Sequence, residues 1–119
     1  MMRVEEMLKA VLGFVTDRTD WALSCYWGCR DSYHESIFQE WSSLQDHTKA
    51  CYDTIRYGSD YPWDDPDTML DFYKEGIYQR IKNIQEEFEG HDALCHTARL
   101  DPYYAVLGFV ATLKKGNSW

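Results

Sequence analysis

The chain has 119 residues, 45% of them hydrophobic, 27% charged and 16% aromatic, with few glycines and prolines. That length suits one domain with a core of its own, and the balance excludes collagen, a disordered tail and a low-complexity linker. Twelve Lys and Arg against twenty Asp and Glu leave a formal charge of −8, which argues against a protein held to nucleic acid through phosphate contacts.

At the start, Glu5, Glu6 and Lys9 interrupt any apolar run, so no secretory leader is expected. No stretch approaches the roughly 20 apolar residues of a membrane span. A cytoplasmic, soluble chain is the expectation. Val4, Met7, Leu8, Val11, Leu12 and Val15 fall on one stripe of a helix over residues 3–15. Thr16-Asp17-Arg18-Thr19-Asp20 carries side chains suited to capping, so a break is predicted there.

From Leu23 the spacing is regular: Trp27, Arg30, His34, Ile37, Trp41, Leu44, Thr48, Cys51 and Ile55 follow in steps of four and three. This is a heptad seam over residues 23–55, ending before Gly58. A helix of that length is far above the average, which favours a break between Gly28 and Ser32. Trp27, Trp41 and Tyr73 fall on stripes expected to be core. Residues 58–66 (GSDYPWDDP) concentrate turn formers and read as a loop. Asp65-Pro66 opens the next helix with a capping carboxylate and a proline at its first position. Leu70, Tyr73, Ile77, Ile81, Ile84 and Phe88 give that helix its stripe, and Gly90 ends it. A short amphipathic piece covers residues 92–100, and Asp101-Pro102 starts a last helix running to Lys115. The fold class is therefore all-α, a single domain over residues 1–119 with five or six helices and no half-buried strand.

One repeat stands out. Ala10-Val11-Leu12-Gly13-Phe14-Val15 recurs unchanged as Ala105-Val106-Leu107-Gly108-Phe109-Val110. An identity of this length arises by chance in fewer than about one in a thousand such chains. It predicts that the first and last helices pack together, each glycine admitting a close neighbour. Used between molecules instead, the same segments would make a homodimer face.

Cys25 and Cys29 share a helix face. With Cys51 and one of His91, Cys95 or His96, beside Asp92, they could on paper form a four-ligand site for a soft metal such as zinc. Short knuckles of two cysteines are absent, and cysteine is commonly a buried space-filler. Reduced, buried thiols and no cofactor are the expectation. His91-Asp92, with His34 or His47 before it and Asp101 after it, resembles the histidine–aspartate pattern of helical metal phosphohydrolases. That resemblance implies a metal-activated water. Here the pair follows Glu89-Gly90, where that family has an apolar run. The chain has no phosphate-binding loop and no nucleophile elbow, so an enzyme is the less favoured class.

The remaining feature is acidity combined with five tryptophans and nine tyrosines. Asp60, Asp64, Asp65, Asp67 and Asp71 surround Tyr61 and Trp63, and Glu86, Glu87 and Glu89 form a second group. Rigid rings dominate interface energetics, and carboxylates steer a basic partner while repelling polyanions. The leading expectation is a small non-catalytic protein that uses these residues to dock on a basic surface of a larger protein. Inhibitors of nucleic-acid-handling machinery, among them phage counter-defence and immunity proteins, use carboxylates in place of phosphates in this way.

Overall fold

The computed structural model describes residues 3–57, 66–87 and 93–116; for residues 57, 66, 67, 93–97 and 114–116 it describes the backbone only. Four helices follow in order: α1 (Val4–Cys29), α2 (Ser32–Tyr57), α3 (Pro66–Glu87) and α4 (Ala93–Gly116). The described residues contain no strand, and no helix among them is long and apolar enough to cross a membrane.

The helix count is smaller than the sequence predicts because two expected breaks do not occur. At residues 16–20 the buried stripe of α1 runs straight on through Val15, Thr19 and Ala22. Thr19 does not cap a new helix; its hydroxyl donates to the Val15 carbonyl one turn back at 2.7 Å, a bond that satisfies it within an unbroken helix. Pro102 likewise lies inside α4. A proline costs one helical hydrogen bond, but Ala98, Tyr103, Val106 and Val110 continue one buried stripe across it, and Pro102 is itself buried. Continuous burial therefore carries the helix through the Asp101-Pro102 start signal.

The break expected between Gly28 and Ser32 does occur, one step away from the glycine. Gly28 stays helical, and Arg30 takes the left-handed conformation (φ 45°, ψ 41°), its N–H bonding the Tyr26 carbonyl. That conformation costs a non-glycine residue about 1–2 kcal/mol. Stacking of the Arg30 guanidinium 4.4 Å above the Trp27 ring offsets about 0.5–1 kcal/mol of it. Asp31 then caps α2, accepting the His34 N–H at 2.7 Å. That bond, with the His34 ring 2.6 Å away, holds the Asp31 carboxyl below its ordinary range.

α1 and α2 form the most extensive pair, an antiparallel hairpin. Gln45 of α2 donates to the Thr16 hydroxyl at 3.1 Å, and the Tyr26 and Phe38 rings lie nearly parallel, 6.5 Å apart. Met7, Leu8, Val11, Val15, Leu44, Tyr73, Ile77, Ile84 and Val106 make the fully buried centre. Trp41 and Tyr73 are core as expected. Trp27 is not: it is 58% exposed, because it lies to one side of the buried stripe of α1, which runs through Val15, Thr19 and Ala22.

The two copies of the repeat meet inside the chain, over a narrow contact. Phe14 stacks on its counterpart Phe109 with centroids 4.6 Å apart and planes 7° from parallel. Val11, Val15, Val106 and Val110 are all buried. The glycines do not serve this packing. Gly13 and Gly108 are exposed, and a Cβ on either would meet nothing within 4 Å. The close approach expected of them is absent because the buried valines and phenylalanines occupy the opposite side of each helix.

Gly13→Ala and Gly108→Ala should each raise stability by about 0.5–1 kcal/mol through helix propensity. A thermal melt should rise by a few degrees for each, and the two effects should add because the sites share no partner.

Candidate functional site

The most conspicuous polar feature is a carboxylate inside the helical core. Glu40 of α2 is 3% exposed, and two other helices supply its partners. From α3, Arg80 donates through Nε to Oε1 (3.1 Å) and through Nη2 to Oε2 (2.9 Å). From α4, Arg99 donates through Nε to Oε2 at 2.9 Å, with Nη2 at 2.7 Å, and the Tyr103 hydroxyl donates to Oε1 at 2.7 Å. Burial drives the Glu40 carboxyl upward, but the bonds from Arg80, Tyr103 and Arg99 outweigh it, and the group lies below its usual value of 4.5. Burial and the Glu40 charge push the Tyr103 phenol well above its ordinary range. Arg99 also faces Glu87, 3.5 Å away on α3.

Beside this cluster lies a surface cleft of about 120 Å³, lined by Ser43, Leu44 and His47 of α2, Gly76, Ile77 and Arg80 of α3, and Tyr103 of α4. Gly76 makes it possible. A Cβ there would sit 2.6 Å from His47 Nε2, so only glycine lets the imidazole lie against the α3 backbone. His47 Nε2 donates to the Tyr73 carbonyl at 3.0 Å, and the ring stacks on Tyr73 at 5.1 Å. Behind it, the Tyr73 and Thr48 hydroxyls are 2.8 Å apart, and burial drives the Tyr73 phenol well above its ordinary range.

The residues singled out for docking divide. Asp60, Tyr61, Trp63, Asp64, Asp65 and Glu89 lie outside the described residues, as do His91 and Asp92; for Asp67, Cys95 and His96 only the backbone is described. Asp71, Glu86 and Glu87 are all exposed on α3. Asp71 and Glu86 share the outer face of that helix with Glu75 and Tyr78, by their spacing and exposure. Lys82 stands among them. Phe72 flanks the face at 47% exposure and Tyr78 is 53% exposed. Asp71, Glu75 and Glu86 form no ion pair among the described residues.

Among the described residues the candidate metal ligands Cys25, Cys29 and Cys51 do not converge. Cys25 and Cys29 lie in the last turns of α1, half-buried and exposed, whereas Cys51 is buried far along α2. Among the described thiols the expectation of burial holds for Cys51, whose thiol burial pushes up to about 11; Cys25 is half-buried and Cys29 exposed near the end of α1. Of the histidine–aspartate pattern the structure describes only the alternatives His34 and His47, both on α2 and partly buried, and Asp101, exposed on α4. Among the described residues no three His, Cys, Asp or Glu side chains group as metal ligands.

Sequence reasoning missed Glu40, Arg80 and Arg99. The available signal was that Arg80 lies one turn from Ile77 and Ile84 on the buried stripe of α3, and that Arg99 and Tyr103 are one turn apart on α4. Cations on apolar stripes need a buried anion. No protein-family model, curated protein or solved structure matches this chain.

Glu40→Gln leaves two guanidiniums facing a neutral amide and should destabilise the fold by about 2–4 kcal/mol, below the usual range for a broken buried pair because Arg80 is partly exposed. A folded carboxyl pKa below the unfolded one gives stability that is complete above the unfolded value and lost as pH falls through the folded one. Urea denaturation at a series of acidic pH values should therefore show a shallower acid loss in Glu40→Gln than in the parent.

Proposed function

We propose that this protein is a small, non-catalytic binding protein that docks on a basic surface of a larger protein, one that handles nucleic acid. The observation that carries this reading is the outer face of α3, where Asp71, Glu75 and Glu86 stand exposed, with no ion pair among the described residues, around the exposed ring of Tyr78. Carboxylates left unpaired on a rigid helix can attract cations without first giving up an internal partner. A tyrosine among them adds contact area at little cost in conformational freedom. In sequence Asp60, Asp64 and Asp65 immediately precede this helix and Asp67 lies in its first turn, adding carboxylates of the kind that can stand where a nucleic acid would present phosphates.

The other two readings gain no comparable support. The His91-Asp92 pair of the hydrolase pattern lies outside the described residues, and the apolar side chains of the repeat are used within one chain.

Affinity capture from the native host followed by mass spectrometry should return a protein with a basic surface. Binding of that purified partner should weaken steeply as salt rises, and should fall about tenfold or more in the triple variant Asp71→Lys, Glu75→Lys, Glu86→Lys, since each lost attraction and gained repulsion adds. Binding that is indifferent to both salt and these substitutions would refute the proposal.

A further inference from the structure

The fold leaves the first half of the heptad seam largely without a partner. Leu23, Trp27, Arg30, His34 and Ile37 recur at the spacing by which one helix faces another, yet no residue from 23 through 39 is buried. The turn end of the α1–α2 hairpin therefore has no core of its own. The Tyr26 and Phe38 rings lie side by side there, and Ile37 and Phe38 lean only on the edge of the main core. Trp21 is 54% exposed, Trp27 58% and Tyr33 45%. Large exposed rings gathered within three turns of one hairpin end mark an interaction site.

The charge of this end indicates what covers it. Residues 21–39 hold one arginine, one aspartate and one glutamate, a net charge of −1, so the rest of the chain carries −7 of its −8. A second copy approaching elsewhere meets concentrated like charge, and here it meets little. A basic partner, by the same count, gains more at α3. The charges at this end are also self-complementary. Asp31 is engaged with His34. Arg30 stacks on Trp27 and forms no ion pair among the described residues. Glu35 is exposed, accepts from Gln39 at 3.4 Å, and likewise has no ion pair among them. In a two-fold interface, one unpaired cation and one unpaired anion on each copy satisfy each other twice.

We infer that two copies of this chain associate reversibly through the turn ends of their α1–α2 hairpins. Trp21, Trp27 and Tyr33 of each copy are covered by the other, and Arg30 of each pairs with Glu35 of the other. Three half-exposed rings, each of which buries about 150–250 Å² when fully covered, supply roughly 300 Å² per copy. That is half the share of each partner in a weak complex, about 600 Å², so the dimer is a dissociating one. It does not use the six-residue repeat, whose rings stack within one chain.

The test is sedimentation velocity of the intact protein in about 0.15 M salt, from about 1 µM to about 1 mM. The mass should rise from that of one chain toward that of two. Arg30→Glu places two pairs of like negative charges in the interface, and Glu35→Arg two pairs of like positive ones. Each should raise the dimer dissociation constant about tenfold or more. Mixed one to one, the two variants regain both opposite-charge pairs, and a dimer of one copy of each should form about as tightly as the parent. Trp27→Ser should weaken association about tenfold, with helix content by circular dichroism unchanged because the ring is exposed. A mass of one chain at every concentration overturns the inference, as does any of these variants associating like the parent. A mixture that associates no better than its components overturns it too. A chain that stays monomeric yet co-sediments with phosphatidylcholine vesicles assigns the rings to lipid, and that outcome is equally fatal.

Discussion

The Glu40 carboxylate is the point through which α2, α3 and α4 are tied. A buried carboxylate is costly unless its oxygens are satisfied, and an arginine near an apolar stripe is costly unless it meets an anion. Each of the three helices therefore carries a group that is unfavourable in isolation. The arrangement in which Arg80, Arg99 and Tyr103 all reach Glu40 relieves all of them together. Apolar packing alone tolerates rotation or sliding of one helix against another at modest cost. A hydrogen-bonded charge cluster does not, because a shift of one helical turn would leave ions unpaired. The same cluster fixes the cleft, since Arg80 and Tyr103 belong to both, and it fixes the azimuth of α3 that turns Asp71, Glu75 and Glu86 outward.

Much of this was legible in the residues, and the failures have a common cause. The stripes of α1 and α3 emerged from spacing, as did the start of α3 at Pro66 and the end of α2 at Tyr57, because apolar periodicity and proline or glycine punctuation act locally. Thr16–Asp20 and Asp101-Pro102 carried local stop and start signals that tertiary burial overrode, through Val15, Thr19 and Ala22 in one case and Ala98, Tyr103 and Val106 in the other. Trp27 continues the heptad spacing but lies to one side of the stripe that α1 buries through Val15, Thr19 and Ala22, so its ring is left outside. Glu40 was the deepest omission. A carboxylate next to Trp41 looks like solvated surface until Arg80 and Arg99, forty and fifty-nine residues away, are brought to it by the fold.

The six-residue repeat shows how the same sequence can be used twice for one purpose. In both copies the two valines are buried, the leucine and phenylalanine are partly buried, and the glycine faces out. The equivalence is completed by Phe14 lying on Phe109, with Trp41 edge-on to Phe14 at 6.2 Å. The glycines are not needed for it. They leave two smooth, side-chain-free positions on the outside of α1 and α4, a feature that packing within the chain does not explain.

A net charge of −8 acts at long range as well as at contact. The field it sets up attracts cationic groups from beyond contact distance and repels polyanions, and salt weakens both effects. The Glu40 cluster adds little to that field, because Glu40 and Glu87 stand against Arg80 and Arg99 and the four charges offset one another. The excess is carried instead by side chains such as Asp71, Glu75 and Glu86, which the azimuth of α3 turns outward. Burial of a balanced cluster and exposure of an unbalanced face thus follow from one constraint, that an apolar stripe accepts an ion only together with its counter-ion.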